Sequence, residues 1–352
     1  MDGAEMQFEQ IIRWHEARYP AMQPQDFAKL AYQSEFGPAH LAQTVEDLSA
    51  ALLREWGALP ADMPARPPEL IGGGLCRLHL DPQTDATRAV PLLAALIHHT
   101  ARMHHGTADG LRRRIAALRR LDVAGMADWL DRWQVDGCPS IHHSDAFRTT
   151  YRPHYRVICT AHAVFFPALL EAARLIQNGV PAVLGIDGRC GSGKSSLAQL
   201  LHELFGCNVL HIDDFYLPAE QRPPDWTEQP AGNIDLARFW DEALAPARAG
   251  KPIYYRAYSC GRQQYRDVVM LSPTPLTVVE GSYSQHPALA NAYQCRIFLT
   301  CSSEVQQRRL RAREGAHFDD FARRWIPMEE QYFSVYGMPN EDTTVIDTSP
   351  FF

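Results

Sequence analysis

Gly188-Arg-Cys-Gly-Ser-Gly193-Lys194-Ser195 decides the reading of this chain. The stretch has the pattern G-x-x-x-x-G-K-[ST], follows the apolar run Ala182–Asp187 and precedes the helical Ser196–Phe205. A triphosphate carries dense negative charge, and residues without a Cβ let backbone N–H groups curl around it at a helix N-terminus. Gly188, Arg189, Cys190, Gly191, Ser192 and Gly193 would form that cradle. Lys194 would hold the β- and γ-phosphates, Ser195 would offer its hydroxyl to Mg²⁺, a hard cation that prefers oxygen, and Ser196 would lie beside the α-phosphate. ATP and Mg²⁺ are therefore the expected cofactors.

Outward from this loop, Ala182–Asp187, Asn208–Ile212, Thr277–Glu280, Cys295–Thr300 and Thr343–Ile346 are short apolar runs, most of them separated by helical segments. The expectation is an α/β fold, a P-loop NTPase-type parallel sheet flanked by helices. Its second strand ends in His211-Ile-Asp213-Asp214-Phe215-Tyr216, where open α/β sheets carry their sites. Phosphoryl transfer needs a group that orients the attacking hydroxyl and accepts its proton, and an aspartate there can serve. Leu276-Thr-Val-Val-Glu280 is an apolar strand ending in a carboxylate, placed to hold a magnesium-bound water. Arg308, Arg309, Arg311 and Arg313 follow Cys295–Thr300 on a helical segment; Arg309 and Arg313 are the candidates for a lid that stabilises charge on the transferring oxygens. The alternative for each arginine is a solvated helix face.

Towards the N-terminus the pattern changes. Residues 4–18 and 25–56, Leu92–His105, Leu111–Leu121, Met126–Trp133 and Ala161–Gln177 show helical periodicity, and Leu75–Leu80 alternates like a short strand. Asn178-Gly-Val-Pro181 reads as a boundary, giving a mainly α-helical domain at 1–178 and a P-loop domain at 179–352. Glu35, His40, His142 and His143 are the candidates there for a metal or anion site, but their spacing fits no established ligand pattern. Capping and structural hydrogen bonds are the expected use of these polar residues.

Composition bounds the rest. The 352 residues have 46% hydrophobic and 21% charged content, as a globular enzyme does, and a net charge of −7 argues against a general affinity for nucleic acid. No run approaches a membrane span and the start lacks the features of a secretory leader, so a cytoplasmic location without membrane attachment is expected. The eight cysteines show no C-x-x-C pair and read as reduced thiols; homo-oligomerisation is left open.

With these elements in hand, residues 182–347 resemble the uridine kinase-like family of P-loop kinases, whose relatives include nicotinamide riboside, pantothenate and phosphoribulose kinases. The resemblance rests on the P-loop, on Asp213-Asp214-Phe215-Tyr216, on Val279-Glu280-Gly281 and on the arginine-bearing segment after Phe298-Leu-Thr300. It implies that Asp213 is the catalytic base and that Lys194, Ser195 and Glu280 have the phosphate and magnesium roles, leaving Asp214 and Tyr216 for the acceptor. It also makes Tyr254, in Pro252-Ile-Tyr254-Tyr255, an aromatic platform. Two positions depart from the family. Ser259 stands where uridine kinases have a histidine, and Asn233 aligns with their ribose-binding aspartate. Gly281-Ser-Tyr-Ser-Gln-His286-Pro287 and Trp325-Ile-Pro-Met-Glu329-Glu330 resemble a bacterial subgroup of the family; His286 either faces the acceptor or starts a helix before Pro287. The implied activity is phosphorylation of a hydroxyl on a small molecule, a nucleoside or related metabolite. The competing readings are a kinase for a sugar or vitamin precursor, and an ATP-binding switch or sensor.

Overall fold

In the computed structural model, which describes residues 3–38 and 44–349, the chain divides into two units, Met1–Ala163 and Val164–Phe352. The first contains helices α1 (Gly3–Arg18), α2 (Pro24–Phe36), α3 (Val45–Gly57), α4 (Ala86–Met103), α5 (Ala108–Leu118), α6 (Met126–Val135) and α7 (Asp145–Tyr151). It also carries strands β1 (Glu69–Gly72), β2 (Leu75–His79) and β3 (Tyr155–Cys159), which form an antiparallel sheet in that order. The periodic stretch 25–56 resolves into two helices, because Gly37 leaves α2 at φ +55° and Thr44 opens α3 by accepting the Asp47 N–H at 3.1 Å. Phe27, Leu30, Ile71, Leu75, Leu130 and Trp133 build the core.

The dense polar residues of this unit satisfy one another. Fully buried Arg77 donates twice to Gln33 Oε1, at 3.2 and 3.0 Å, and lies 4.7 Å over the Tyr155 ring. Asp26 accepts from Ser144 N at 3.0 Å and Ser144 Oγ at 2.6 Å, and its carboxylate is 2.7 Å from His143 Nδ1. Glu35 accepts the Thr107 N–H at 2.7 Å and pairs with Arg114. His40 lies outside the described residues. Among the described residues no cluster of three or more metal-ligating side chains occurs.

Helix α8 (Thr160–Gln177) carries the chain across the division and ends before Asn178-Gly179. The second unit then alternates β4 (Ala182–Gly188), α9 (Lys194–Phe205), β5 (Asn208–His211), the short α10 (Leu236–Phe239) and α11 (Ala245–Arg248), a hairpin of β6 (Ile253–Ser259) and β7 (Gln264–Leu271), β8 (Leu276–Glu280), β9 (Cys295–Thr300), α12 (Ser303–Glu314), α13 (Phe318–Tyr336) and β10 (Thr344–Asp347). Five of these strands form one wholly parallel sheet in the order β10-β9-β4-β8-β5. They are the five apolar runs that the sequence displays. Every residue of β4 and β8 is buried, as expected of central strands covered on both faces. The all-parallel register brings the carboxyl ends of β4, β8 and β5 together, pairing Ile186 with Glu280 and Glu280 with His211.

The eight cysteines are free thiols. Among the described residues no helix is long and apolar enough to cross a membrane.

Gly188 closes β4 at φ +132°, and a Cβ there would lie 2.0 Å from the Leu299 carbonyl oxygen on the neighbouring strand. Gly206 ends α9 at φ +63°, with nothing within 4 Å of the place a Cβ would take. Gly188→Ala is therefore expected to cost about 3 kcal/mol or more and Gly206→Ala about 1 kcal/mol, compared by denaturant unfolding. Equal losses would show that the close approach of β4 and β9 does not require glycine.

Candidate active site

The loop after β4 and the first turn of α9 surround a cavity of about 580 Å³ at the carboxyl end of the sheet. Gly191 and Gly193 adopt φ +75° and +100°, conformations that L-residues avoid and that turn the loop backbone into the start of the helix. The N–H groups of Lys194, Ser195 and Ser196 belong to the first turn of α9 and have no partner within the helix. Lys194 is buried, and its Nζ donates to Gly188 O at 2.6 Å, Arg189 O at 3.1 Å and Ser282 Oγ at 3.3 Å. Ser195 Oγ donates to the Glu280 carboxylate at 3.2 and 3.3 Å. His211 Nδ1 approaches the same carboxylate at 2.6 Å.

This geometry fits the expected cofactors. One hydroxyl and one carboxylate side by side are a hard oxygen donor set suited to Mg²⁺. Unpaired helix-terminal amides next to a buried ammonium suit a phosphate. The buried Ser192 hydroxyl, without a hydrogen-bond partner among the described residues, adds a further polar group to the loop.

Asp213 and Tyr216 line the same cavity. Asp213 is accessible from the cavity, yet the protein mass around it, and then the Glu280 carboxylate, raise its pKa above the ordinary aspartate value; Lys194 and a hydrogen bond from Tyr216 oppose this. The hydrogen bond to Glu280 raises His211 in turn. Arg309 and Arg313, from α12, complete the wall. Arg309 donates to Gly191 O at 2.9 Å, Thr348 Oγ1 at 2.9 Å and Thr348 O at 2.8 Å, tying α12 to the loop. Arg313 bonds Glu314 at 2.6 Å and lies 5.3 Å over the Phe321 ring.

No protein-family model matches the chain. It is 29% identical over 157 residues to a nicotinamide riboside kinase of Schizosaccharomyces pombe, a match covering 38% of this chain and 66% of that protein. It is 24% identical over 169 residues to a uridine kinase of Geobacillus kaustophilus, covering 43% of this chain and 80% of that one. A solved structure described as a "Possible Uridine Kinase" from Bacillus stearothermophilus aligns over 50% of this chain and 97% of its own, with 18% identity and a TM-score of 0.39. Over the P-loop unit the chain is thus similar to curated small-molecule kinases, a uridine kinase among them.

Within the P-loop unit, six residues that the sequence nominates lie outside the cavity lining: Gly188 and Arg189 at the start of the loop, and Asp214, Asn233, Tyr254 and His286. Asp214 accepts the Tyr255 hydroxyl at 3.0 Å. Tyr254 is half exposed on β6, whereas its neighbour Tyr255 turns inward onto Phe215, 5.0 Å between ring centroids. His286 caps the short turn Pro287–Ala292, its Nδ1 accepting Ala288 N–H at 3.2 Å, and its Nε2 is 3.0 Å from the Tyr336 hydroxyl. Asn233 is fully buried with neither side-chain polar atom paired among the described residues.

The cavity also contains Ser282, Tyr283, Phe321, Trp325 and Glu329, to which the sequence pattern assigns no role, and His211 stands behind Glu280. Two motifs of the sequence, Gly281–Pro287 and Trp325–Glu330, contain Ser282, Tyr283, Trp325 and Glu329 without marking which side chains face the cavity. The burial of a glutamate is invisible to periodicity, because Glu329 occupies an inward position of an amphipathic helix where an apolar residue is the default.

Beneath the loop, Asp187 is fully buried and accepts Gly188 N at 2.7 Å, Gln285 N at 2.9 Å and the Tyr332 hydroxyl at 2.9 Å, clasping α13 to the end of β4. Burial outweighs these donors and pushes its pKa up from 3.8 to about 6. The folded state thus holds a proton that the unfolded state releases between those values. This contribution is complete below about pH 4 and lost as pH rises through about 6. The stability of the parent relative to Asp187→Asn should fall by about 2–3 kcal/mol across that window, read by denaturant unfolding at each pH. A flat difference would show that Asp187 is ionised throughout.

Proposed function

We propose that the chain is an ATP- and Mg²⁺-dependent phosphotransferase that phosphorylates a hydroxyl of a small molecule, a nucleoside or related metabolite. The observation that carries this reading is that Lys194, Ser195, Glu280 and Asp213 line one cavity. The kinase names of the relatives support it.

In this reading Ser195 and Glu280 hold the metal, with His211 orienting the carboxylate. Bound Mg²⁺ supplies neutralisation of the phosphate oxygens. Lys194, free to exchange loop carbonyls for phosphate oxygens, adds a positive charge from a stem packed in the loop. Asp213 takes the proton of the acceptor hydroxyl as that oxygen bonds to phosphorus and the donor's terminal P–O bond breaks. A carboxylate whose pKa burial has raised is a better proton acceptor than a solvated one. Arg309 and Arg313 face charge that spreads over the transferring oxygens.

A second reading, with a sugar or vitamin precursor as acceptor, is favoured by Ser259 and Asn233, which stand where uridine kinases have a histidine and an aspartate. A site lacking those polar partners discriminates a pyrimidine ribonucleoside poorly.

A metabolite library screened for acceptor-dependent ADP formation, with products weighed by mass spectrometry, tests both. One acceptor is expected to gain a phosphoryl group. Lys194→Ala should abolish transfer, and Asp213→Asn should lower kcat by about a hundredfold or more while ATP affinity stays within about twofold. ADP release that no acceptor changes, equal in the parent and Asp213→Asn, would replace the kinase with a nucleotide switch.

A further inference from the structure

Helix α13 places an anion against the phosphate loop. Glu329 is 3% exposed; its Oε2 accepts the Cys190 N–H at 2.9 Å, while its Oε1 accepts the Ser282 hydroxyl and lies 4.0 Å from Lys194 Nζ. The next residue, Glu330, pairs with Arg189, whose guanidinium sits 5.6 Å over the Phe333 ring. Two consecutive carboxylates of one helix therefore grip two consecutive residues of the loop. A buried carboxylate persists only where donors and cations compensate it. Here the compensation comes from a loop amide and the loop lysine, groups of the kind that P-loops direct at phosphates.

We propose that Glu329 sets the selectivity of this site between nucleoside triphosphate and diphosphate, by competing with the terminal phosphate for Lys194 and the Cys190 amide. The inference rests on the P-loop reading above. The amides at the start of α9 cradle the inner phosphates, and Glu329 takes none of those. The ammonium that reaches the outermost phosphate is the one Glu329 approaches. A carboxylate in this position opposes a third phosphate more than it opposes the first two.

The helix is built to give way. Pro327, two residues before Glu329, has no N–H to close on the Arg323 carbonyl, so the hydrogen-bond ladder of α13 is interrupted there. The interruption separates Glu329 from Phe321 and Trp325, which line the same cavity. Displacing the carboxylate thus loads the weakest turn of the helix that carries the aromatic wall.

The test is Glu329→Gln in the full chain, which keeps the size and a carbonyl oxygen for the Cys190 N–H, removes the charge and turns the oxygen that accepts the Ser282 hydroxyl into an NH2 group. Kd for ATP and for ADP, each with Mg²⁺, is measured by titration calorimetry. The variant is expected to bind ATP about tenfold more tightly and ADP no more than about twofold more tightly. Equal shifts for the two nucleotides, the outcome of a merely structural role, or weaker ATP binding would overturn the proposal. Should this variant fail to fold, Glu330→Gln removes the second, half-exposed tether and should move the ATP-to-ADP ratio in the same direction by about threefold; an unmoved ratio there overturns it equally. If the parent chain binds both nucleotides and only the ratio stays fixed, this inference alone falls. If it binds neither, the P-loop reading falls with it.

Discussion

The second unit depends on one electrostatic constraint: a lysine ammonium buried at the end of a fully buried strand. A charge that leaves water must be compensated by fixed dipoles or counter-charges. Lys194 Nζ donates to two loop carbonyls and the Ser282 hydroxyl, and a carboxylate lies 4.0 Å away. The carbonyls converge because Gly188, Gly191 and Gly193 take backbone angles that a side chain would forbid. The glycine pattern, the lysine and the strand before them form one device, and the sheet is arranged around it. β4 lies at its centre with a neighbour on either side, so that β8 supplies Glu280 and β9 supplies the chain that leads to α12.

That constraint explains why so much of the unit is legible in the residues alone. A central parallel strand is covered on both faces and must be apolar along its whole length, so five such runs between helices specify the sheet without any structural input. The loop is equally legible, because its backbone conformation restricts residue type position by position. The hairpin β6–β7 is not, for the opposite reason. β7 alternates between half-buried and exposed residues, and β6 between inward and outward ones, so neither is a continuous apolar run. Nor can sequence decide which of Tyr254 and Tyr255 faces inward, since a shift of one residue in pairing exchanges the two faces. In the fold it is Tyr255, paired with Val269, that reaches Asp214.

In the first unit the same ambiguity concerns chemistry. Histidines, acids and arginines in dense stretches have the composition of a ligand site, and composition cannot reveal whether their partners lie within the protein. Here Arg77, Gln33 and Tyr155 satisfy one another, as do Asp26, His143 and Ser144. Burial lowers the pKa of His143 to about 4, so its neutral form bridges Asp26 and Tyr155 near neutral pH. Hydrogen bonds that close within a core leave fewer groups to recognise anything else.

The cavity of the second unit illustrates how environment, rather than residue type, divides labour among similar groups. Three carboxylates line it. Glu280 faces a hydroxyl and an imidazole, which hold it at the strand end. Asp213 has fewer compensating partners and stands beside another negative charge, so its affinity for a proton rises. Glu329 takes a backbone amide and lies near the ammonium, groups that the proposed function assigns to phosphate. In the proposed reading one kind of group, a carboxylate, would thus hold a metal, accept a proton or oppose a phosphate according to which dipoles the strands and helices aim at it. Exchanging Asp for Glu at these positions would alter reach before it altered charge. For that reason the spacing of the motifs along the chain carries more information than their acidity does.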